Sequence, residues 1–280
     1  MRWETGRSGG GIEDRRGLGG GTVVGGGLGT LALALVGYFV FGIDPFTTQQ
    51  IVSQFNGAGS QEAGKLGTPE DRAGKFVDVV AANINDVWSG KIQSYEPPRV
   101  VLYEQGTQTG CGFGQAAMGP FYCPNDATVY LDLGFWREME TKLGASGADF
   151  ARAYVIAHEF GHHVQRLAEQ RGALPRGRQG EAGANSYSVA IELQADCYAG
   201  VWAANAATVS SGRVALDPGD LEEGLRTANA IGDDTLQRKS QGRVVPERFT
   251  HGTSAQRMTW LKRGYQSGDA RACDTFAERS

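Results

Sequence analysis

Two histidines and a glutamate form the pattern H-E-x-x-H in the stretch Ala157–Gln165. The flanking run Tyr154–Leu167 predicts a helix, so His158 and His162, four residues apart, project from the same face. Two imidazoles placed in this way can bind one metal ion. Glu159 lies about 100° further round the helix, beside the metal rather than on it. Two ligands with a proton acceptor at this spacing indicate a zinc hydrolase.

A third metal ligand is expected from a second helix, predicted over Asn185–Ala207. A catalytic zinc takes three protein ligands and keeps one position for water. Glu192 and Asp196 share one helix face, and their apolar neighbours predict burial, which carboxylates tolerate only with partners. We assign Glu192 to the metal. Asp196 would accept a hydrogen bond from a ligand imidazole and fix its tautomer. The reverse assignment, with Asp196 on the metal, stays open.

The remaining histidines have different expected roles. His163 directly follows a ligand and so points elsewhere, as a structural or exposed residue. His251 is the only histidine outside the motif. Amide hydrolysis creates an oxyanion, and a donor opposite the metal would stabilise it. We expect His251 in that role, and Arg257 and Tyr122 are weaker candidates.

Residues 22–43 are uncharged and mostly apolar. As a helix they would reach roughly 33 Å, enough for a hydrocarbon core of about 30 Å. Four arginines precede this stretch and the next basic residue is Lys65, so the positive-inside rule predicts a cytoplasmic N-terminus. A buried core helix or a glycine-rich linker is the alternative.

The predicted organisation has four parts. They are a cytoplasmic tail over residues 1–21, a transmembrane anchor over 22–43, a flexible linker over 44–69 and a metallopeptidase-like domain over 70–280. This describes a single-pass inner-membrane protein whose domain faces the periplasm or the cell exterior. The chain has 280 residues, 40% of them hydrophobic, which is enough for a sizeable core. Its net charge of −4 gives no electrostatic indication of nucleic-acid binding.

The four cysteines contain no C-x-x-C pair, which argues against a cysteine zinc site. An outward-facing domain favours disulfides. We favour the pairs Cys111–Cys123 and Cys197–Cys273, although the sequence alone allows three pairings.

The order of predicted elements, one helix followed by strands and then mostly helices, indicates an α+β fold. The predicted helices are Glu70–Lys91, capped by Thr68, then Phe135–Lys142, Asp149–Arg171, Asn185–Ala207, Asp220–Ile231 and Ser254–Gln266. The predicted strands are Arg99–Glu104 and Thr128–Leu133, and the predicted irregular segments are 106–119, 172–183 and 232–252.

Several motifs together resemble the bacterial family of neutral zinc metallopeptidases with an N-terminal membrane helix. The matching stretches are Ile12–Gly17, Ala117–Cys123, Val129–Leu133, His158–Gln165, Glu192–Cys197 and His251–Arg257. The resemblance implies a zincin fold with a mixed sheet over the metal helix, zinc as cofactor, and a peptide or protein substrate. It also implies an edge strand near the site that pairs with an extended peptide. Val129–Leu133, or the preceding loop from Ala116 to Tyr122, could serve as that edge.

These observations predict a membrane-anchored zinc endopeptidase with His158, His162 and Glu192 as ligands and Glu159 as general base. A catalytically silent, zinc-stabilised binding or scaffold module is one alternative. The intact Glu159 argues against it, since a structural site has no use for a base. Another zinc hydrolase, such as a cell-wall amidase, is a further alternative.

Overall fold

The computed structural model describes residues 1–17, 64–115, 119–175, 177 and 180–277. The anchor predicted at 22–43 and most of the predicted linker lie outside these residues. Within the described ranges, no helix has both the length and the apolar character needed to span a bilayer.

A five-stranded mixed sheet forms one layer of the molecule, in the order β2-β1-β3-β7-β6. β3 pairs in parallel with β1 and with β7, whereas β2 and β6 are antiparallel to their neighbours. A separate hairpin, β4-β5, follows β3. The strands are β1 Ile12–Asp14, β2 Lys65–Gly67, β3 Arg99–Tyr103, β4 Gly106–Thr109, β5 Gly112–Gln115, β6 Phe121–Cys123 and β7 Thr128–Asp132.

Helices make up the other layer and most of the C-terminal half, so the α+β prediction is confirmed. The helices of the described residues are α1 Arg72–Lys91, α2 Phe135–Glu138, α3 Asp149–Gln170, α4 Tyr187–Val209, α5 Asp220–Ala230, α6 Asp233–Gln241 and α7 Ser254–Ser267. Of these, α1, α3, α4, α5 and α7 begin and end within about two residues of the predicted positions. A π-helical turn, Met139–Leu143, extends α2.

Three local predictions are wrong. The glycine-rich segment 106–119 contains the hairpin β4-β5 rather than only a loop. The segment 232–252 contains α6. Helix α1 is capped by the side chain of Asp71, which accepts the N–H of Gly74, and not by Thr68. Thr68 instead donates its hydroxyl to the buried carboxylate of Asp78.

The described part of the predicted N-terminal tail is built into the sheet. β1 lies between β2 and β3, with Ile12 opposite Val100 and Asp14 opposite Lys65. The structure therefore differs from the predicted division at residues 21 and 69, since both flanks belong to the same sheet as the domain. A three-residue strand with two acidic residues carries no periodic signal, and its pairing is set by partners distant in sequence.

Two glycine contacts set how closely α4 packs on its neighbours. A Cβ on Gly161 of α3 would lie 3.0 Å from the Cα of Ala195 in α4. A Cβ on Gly264 of α7 would lie 1.9 Å from the carbonyl oxygen of Cys197 in α4. These backbones therefore approach closely only because no side chain intervenes.

The favoured cysteine pairs are both present as disulfides, Cys111–Cys123 and Cys197–Cys273.

Candidate metal centre

Helix α3 presents the two motif histidines toward α4. The rings of His158 and His162 lie with their centroids 4.8 Å apart, as expected for an i, i+4 pair. Phe150, Ile156 and Phe160 are fully buried and hold this helix in the core. The motif therefore lies on a rigid, buried element rather than on a surface helix.

Glu192 of α4 completes a three-residue cluster. Its Oε2 lies 3.1 Å from Nε2 of His158, and its Oε1 lies 3.5 Å from Nε2 of His162. The donor atoms of the three residues lie within 4.8 Å of one another. Two imidazoles and one carboxylate are a donor set that suits a catalytic zinc ion. The residues present therefore fit the metal that the sequence predicts.

Asp196 contacts the other side of His158. Nδ1 of His158 donates to its Oδ1 at 2.9 Å, which directs Nε2 toward Glu192. The same carboxylate accepts two hydrogen bonds from Arg257, at 2.8 and 2.9 Å, and one from the hydroxyl of Tyr154 at 2.6 Å. With its oxygens occupied in this way, Asp196 lies at the Nδ1 side of the imidazole, opposite the Nε2 side that faces Glu192.

Electrostatics within this cluster favour ionised carboxylates. Burial would raise the pKa of Asp196, but Arg257 and His158 outweigh it and lower that pKa to about 2. Burial likewise opposes ionisation of Glu192, yet the histidines around it hold its pKa well below the usual range. Burial would lower the pKa of His158, whereas the carboxylates of Asp196 and Glu192 raise it to about 10. The cluster thus concentrates negative charge where a cation would bind.

His162 is oriented by an amide network. Its Nδ1 donates to Oε1 of Gln165 at 2.9 Å, and Nε2 of Gln165 donates to the carbonyl oxygen of Ile191 at 2.7 Å. This network joins α3 to α4 next to Glu192. Both ligand imidazoles therefore have a fixed ring orientation before any metal binds.

Glu159 lies beside the histidines and is only 7% exposed. Burial raises the pKa of its carboxyl to about 7, and the nearby charge of Glu192 adds to this effect. His158, Arg257 and the backbone N–H of Tyr122 favour the carboxylate and limit the rise. A carboxyl that titrates near neutral pH can both accept and return a proton.

His251 lies near the cluster, in the loop before α7. Its Nδ1 lies 2.9 Å from the hydroxyl of Thr250 and 3.4 Å from Oδ1 of Asp233. Burial would lower the pKa of His251, but Glu192 and Asp233 raise it overall. Oδ2 of Asp233 accepts the backbone N–H groups of Thr250, His251 and Gly252, which fixes the loop.

The family described as "Putative neutral zinc metallopeptidase" matches residues 1–276. The chain belongs to this family. Among its relatives, the "Uncharacterized protein YpfJ" of Escherichia coli K12 is 46% identical over 298 aligned residues, which cover 99% of each chain. The "Uncharacterized protein Rv2575" of Mycobacterium tuberculosis is 46% identical over 215 aligned residues, covering 73% of this chain and 72% of that protein. No solved structure matches this chain.

The edge strand next to the zinc-peptidase motif is β6. Since β7 lies between β3 and β6, the stretch Val129–Leu133 is interior to the sheet, and that alternative is wrong. Tyr122, at the end of the other stretch considered, lies in the edge strand β6. Tyr122 of β6 donates its hydroxyl to Nδ1 of His163 at 3.0 Å, and Nε2 of His163 donates to the carbonyl oxygen of Glu96. His163 is buried and fastens this strand to α3, which agrees with a structural role.

Sequence reasoning missed the supporting residues Tyr154 and Gln165, and it considered Arg257 only as an oxyanion donor. The structure places Arg257 against Asp196, where it is 4% exposed. One feature of the sequence could have indicated this position of Arg257. Arg257 shares the core-facing stripe of α7 with Trp260, Leu261 and Gly264. An arginine on such a stripe requires a buried acid, and Asp196 is buried completely.

Proposed function

We propose that this chain is a zinc-dependent endopeptidase with His158, His162 and Glu192 as metal ligands. The observation that carries the proposal is the convergence of these three donors from α3 and α4, with Glu159 beside them. Membership of the zinc metallopeptidase family supports it. A cation held only for stability would not require a buried carboxyl of raised pKa at its side.

Zinc bound here would polarise a water molecule and the carbonyl of a substrate peptide. Glu159 takes a proton from the attacking water and passes it to the leaving amine. Burial raises the pKa of this carboxyl in the metal-free protein, and a nearby cation would lower it toward the carboxylate that accepts the first proton. His251 donates to the developing oxyanion. Burial opposes its protonation, but the charges of Glu192 and Asp233 outweigh burial and raise its pKa, which strengthens such a donor. Asp196 and Gln165 hold the two imidazoles in place.

An extended peptide pairs with β6 in this proposal. That strand is the last in the sheet order of the described residues, and its Tyr122 N–H favours the ionised Glu159 carboxylate. Backbone pairing at a sheet edge binds peptides with little dependence on side chains. The substrate class is therefore peptides or unfolded protein segments.

We further propose that the domain faces the periplasm or the cell exterior and is held at the inner membrane by the apolar residues 22–43. The two disulfides support an oxidising compartment. The apolar composition of residues 22–43 supports the membrane attachment.

Glu159→Gln tests the general base. The variant keeps the three ligands, so it should bind zinc with unchanged stoichiometry, while casein or peptide-library cleavage falls at least about 10²-fold. Wild-type cleavage should stop with a chelator and return with zinc. Undiminished cleavage by the variant would refute the base assignment, and wild-type protein that binds zinc yet cleaves no peptide would favour a scaffold.

A further inference from the structure

The N-terminal segment, residues 1–17, contributes an internal strand of the sheet. β1 separates β2 from β3, and both of these neighbours follow residues 18–63 in the chain. Glu13 lies opposite Leu66 on one side and opposite Val101 on the other. Paired strands lie about 4.8 Å apart. Residues on the two flanks of the segment 18–63 are therefore immediate neighbours in space.

Side-chain packing ties the N-terminal segment to the metal helix. Trp3 is 4% exposed, and its indole N–H donates to Asp149, the first residue of α3, at 2.8 Å. Its ring packs edge-on against Phe76 of α1 at a centroid distance of 5.2 Å. Ile12 is 1% exposed. Removing this segment would uncover apolar core surface beside the helix that carries the ligands.

A buried charge joins the two flanks. The carboxylate of Asp78 in α1 is 1% exposed and accepts the N–H groups of Gly9 and Gly10, at 3.1 and 2.9 Å, together with the hydroxyl of Ser8. It also accepts the hydroxyl of Thr68 at 2.7 Å. A buried carboxylate without these donors is strongly unfavourable. The two flanks thus fold as one unit around Asp78.

We propose that residues 1–17 lie on the same side of the membrane as the catalytic domain. A bilayer core of about 30 Å cannot separate strands that are hydrogen-bonded to each other. A single crossing by residues 22–43 is therefore incompatible with this strand pairing. This revises the single-pass form of the anchor and is independent of the zinc chemistry.

The same geometry assigns the sheet edge formed by β2 to the lipid surface. The chain leaves the described domain at Gly17 and returns at Gly64, next to the outermost strand of the sheet. Leu66 on that strand is 72% exposed, a large apolar side chain presented to solvent. Lys65 beside it is exposed and basic, which suits anionic headgroups. The partner proposed for this edge is therefore the surface of the bilayer.

Single-cysteine labelling of the full-length chain in bacterial cells tests the topology. Thr5→Cys in the N-terminal segment and Glu222→Cys on α5 are both exposed positions. A membrane-impermeant maleimide should label both to the same extent in spheroplasts, and likewise after lysis. Labelling of only one position before lysis would overturn the proposal.

Cross-linking tests the strand pairing directly. Glu13→Cys with Leu66→Cys should form an intramolecular disulfide in membranes, detected by mass spectrometry of the joined peptides. Each single variant is the matched control for intermolecular bonds. A chain that labels alike at both topology positions but never joins residues 13 and 66 would overturn the sheet pairing on which the inference depends.

An environment-sensitive fluorophore tests the lipid contact. Attached at Leu66→Cys in the full-length chain, it should shift to shorter wavelength in vesicles of phosphatidylethanolamine and phosphatidylglycerol. Attached at Glu222→Cys, it should keep the longer emission wavelength of a fluorophore exposed to water. Equal spectra at both positions would overturn the assignment of this edge to the membrane, while cleavage assays on the same samples score the proposed activity separately.

Discussion

Asp196 has more hydrogen-bond donors than any single role requires. It accepts one bond from a ligand imidazole, two from Arg257 and one from Tyr154. A buried ion pair contributes little net stability but is costly to break. We therefore expect the main effect of this ion pair to be positional, because it fixes the ring orientation of His158.

Asp196→Asn should therefore weaken zinc binding by about 10- to 100-fold. The amide loses the charge that orients His158 and balances Arg257. Tyr154→Phe is the matched control, since it removes one donor and keeps the carboxylate, and its loss should be smaller. Competition with a chelating dye, normalised to the folded fraction, measures both. Unchanged affinity in Asp196→Asn would contradict the positioning role.

The pKa of Glu159 also predicts a pH-dependent stability for the metal-free protein. Folding raises this pKa from 4.5 to about 7, chiefly through burial. The stability that results is fully present below pH 4.5 and is lost as pH rises through 7. Glu159→Gln has no carboxyl to ionise, so it does not lose this stability. Between pH 4.5 and pH 8, its free energy of unfolding should therefore increase by about 3 kcal/mol relative to that of wild type.

Denaturant titrations of metal-free samples across this pH range provide the measurement. Glu222→Gln at an exposed position is the matched control. Parallel pH profiles for wild type and Glu159→Gln would show that the carboxyl is not desolvated in the folded state. Zinc must be absent, because a bound cation favours the carboxylate.

At the scale of elements, the distance between α3 and α4 decides whether three ligands can meet. Gly161 allows this approach, since an added Cβ would lie 3.0 to 3.2 Å from the Cα, carbonyl oxygen and Cβ of Ala195. α4 has little room to move away from α3, because the backbone of α7 packs against it at Gly264. The helix-weakening residue inside the metal motif therefore has a packing function.

Gly161→Ala should destabilise the protein by about 1 to 2 kcal/mol and reduce zinc affinity, despite alanine's better helix propensity. Gly90→Ala in α1 is the matched control, because an added Cβ there meets no atom within 4 Å. That variant should be stabilised by up to about 1 kcal/mol. Thermal unfolding and dye competition test the pair, and an equal response of the two variants would contradict the packing argument.

Apolar periodicity made α1, α3 and α7 predictable, whereas α4 was indicated by a nearly continuous run of apolar and small residues. The i, i+4 geometry of the motif predicted that His158 and His162 would lie together, as the structure places them beside Glu192.

α6 was not predicted, because only Leu236, Gln237 and Asp233 of it are buried and no apolar stripe exists. Its signals are acids in the first turn, Arg238 and Lys239 in the last, and Gly242 in the left-handed conformation at its end. Charge patterning could have identified it.

The strands show the limit of local reasoning. β3 and β7 carry alternating or continuous apolar residues and were predicted. The hairpin β4-β5 is rich in glycine and threonine, and its pairing is held by backbone bonds and the adjacent Cys111–Cys123 disulfide. β1 depends wholly on partners far along the chain, which no window of sequence contains.

At the scale of the whole molecule, the Cys197–Cys273 disulfide connects α4 to the C-terminal segment across a sequence separation of 76 residues. Gln194 reinforces this link by donating to the carbonyl oxygen of Cys273 at 3.0 Å. The same helix carries Glu192, so order at the C-terminal end supports the metal cluster.

Replacing Cys197 and Cys273 with serine should cost about 4 kcal/mol of unfolding free energy, against about 3 kcal/mol for the Cys111 and Cys123 pair, since longer closed loops restrict the unfolded chain more. Denaturant unfolding of the two double variants ranks them. A larger loss for the shorter loop would contradict the loop-entropy argument.

The position of β1 also has a consequence for biogenesis. The first strand to leave the ribosome takes its place between two others, and the pairing of Ile12 with Val100 cannot form until β3 has been synthesised. Contacts so distant in sequence slow folding. β1 therefore stays unpaired until residue 103 has been synthesised, and its exposed backbone and buried-face side chains must meanwhile be kept from aggregation.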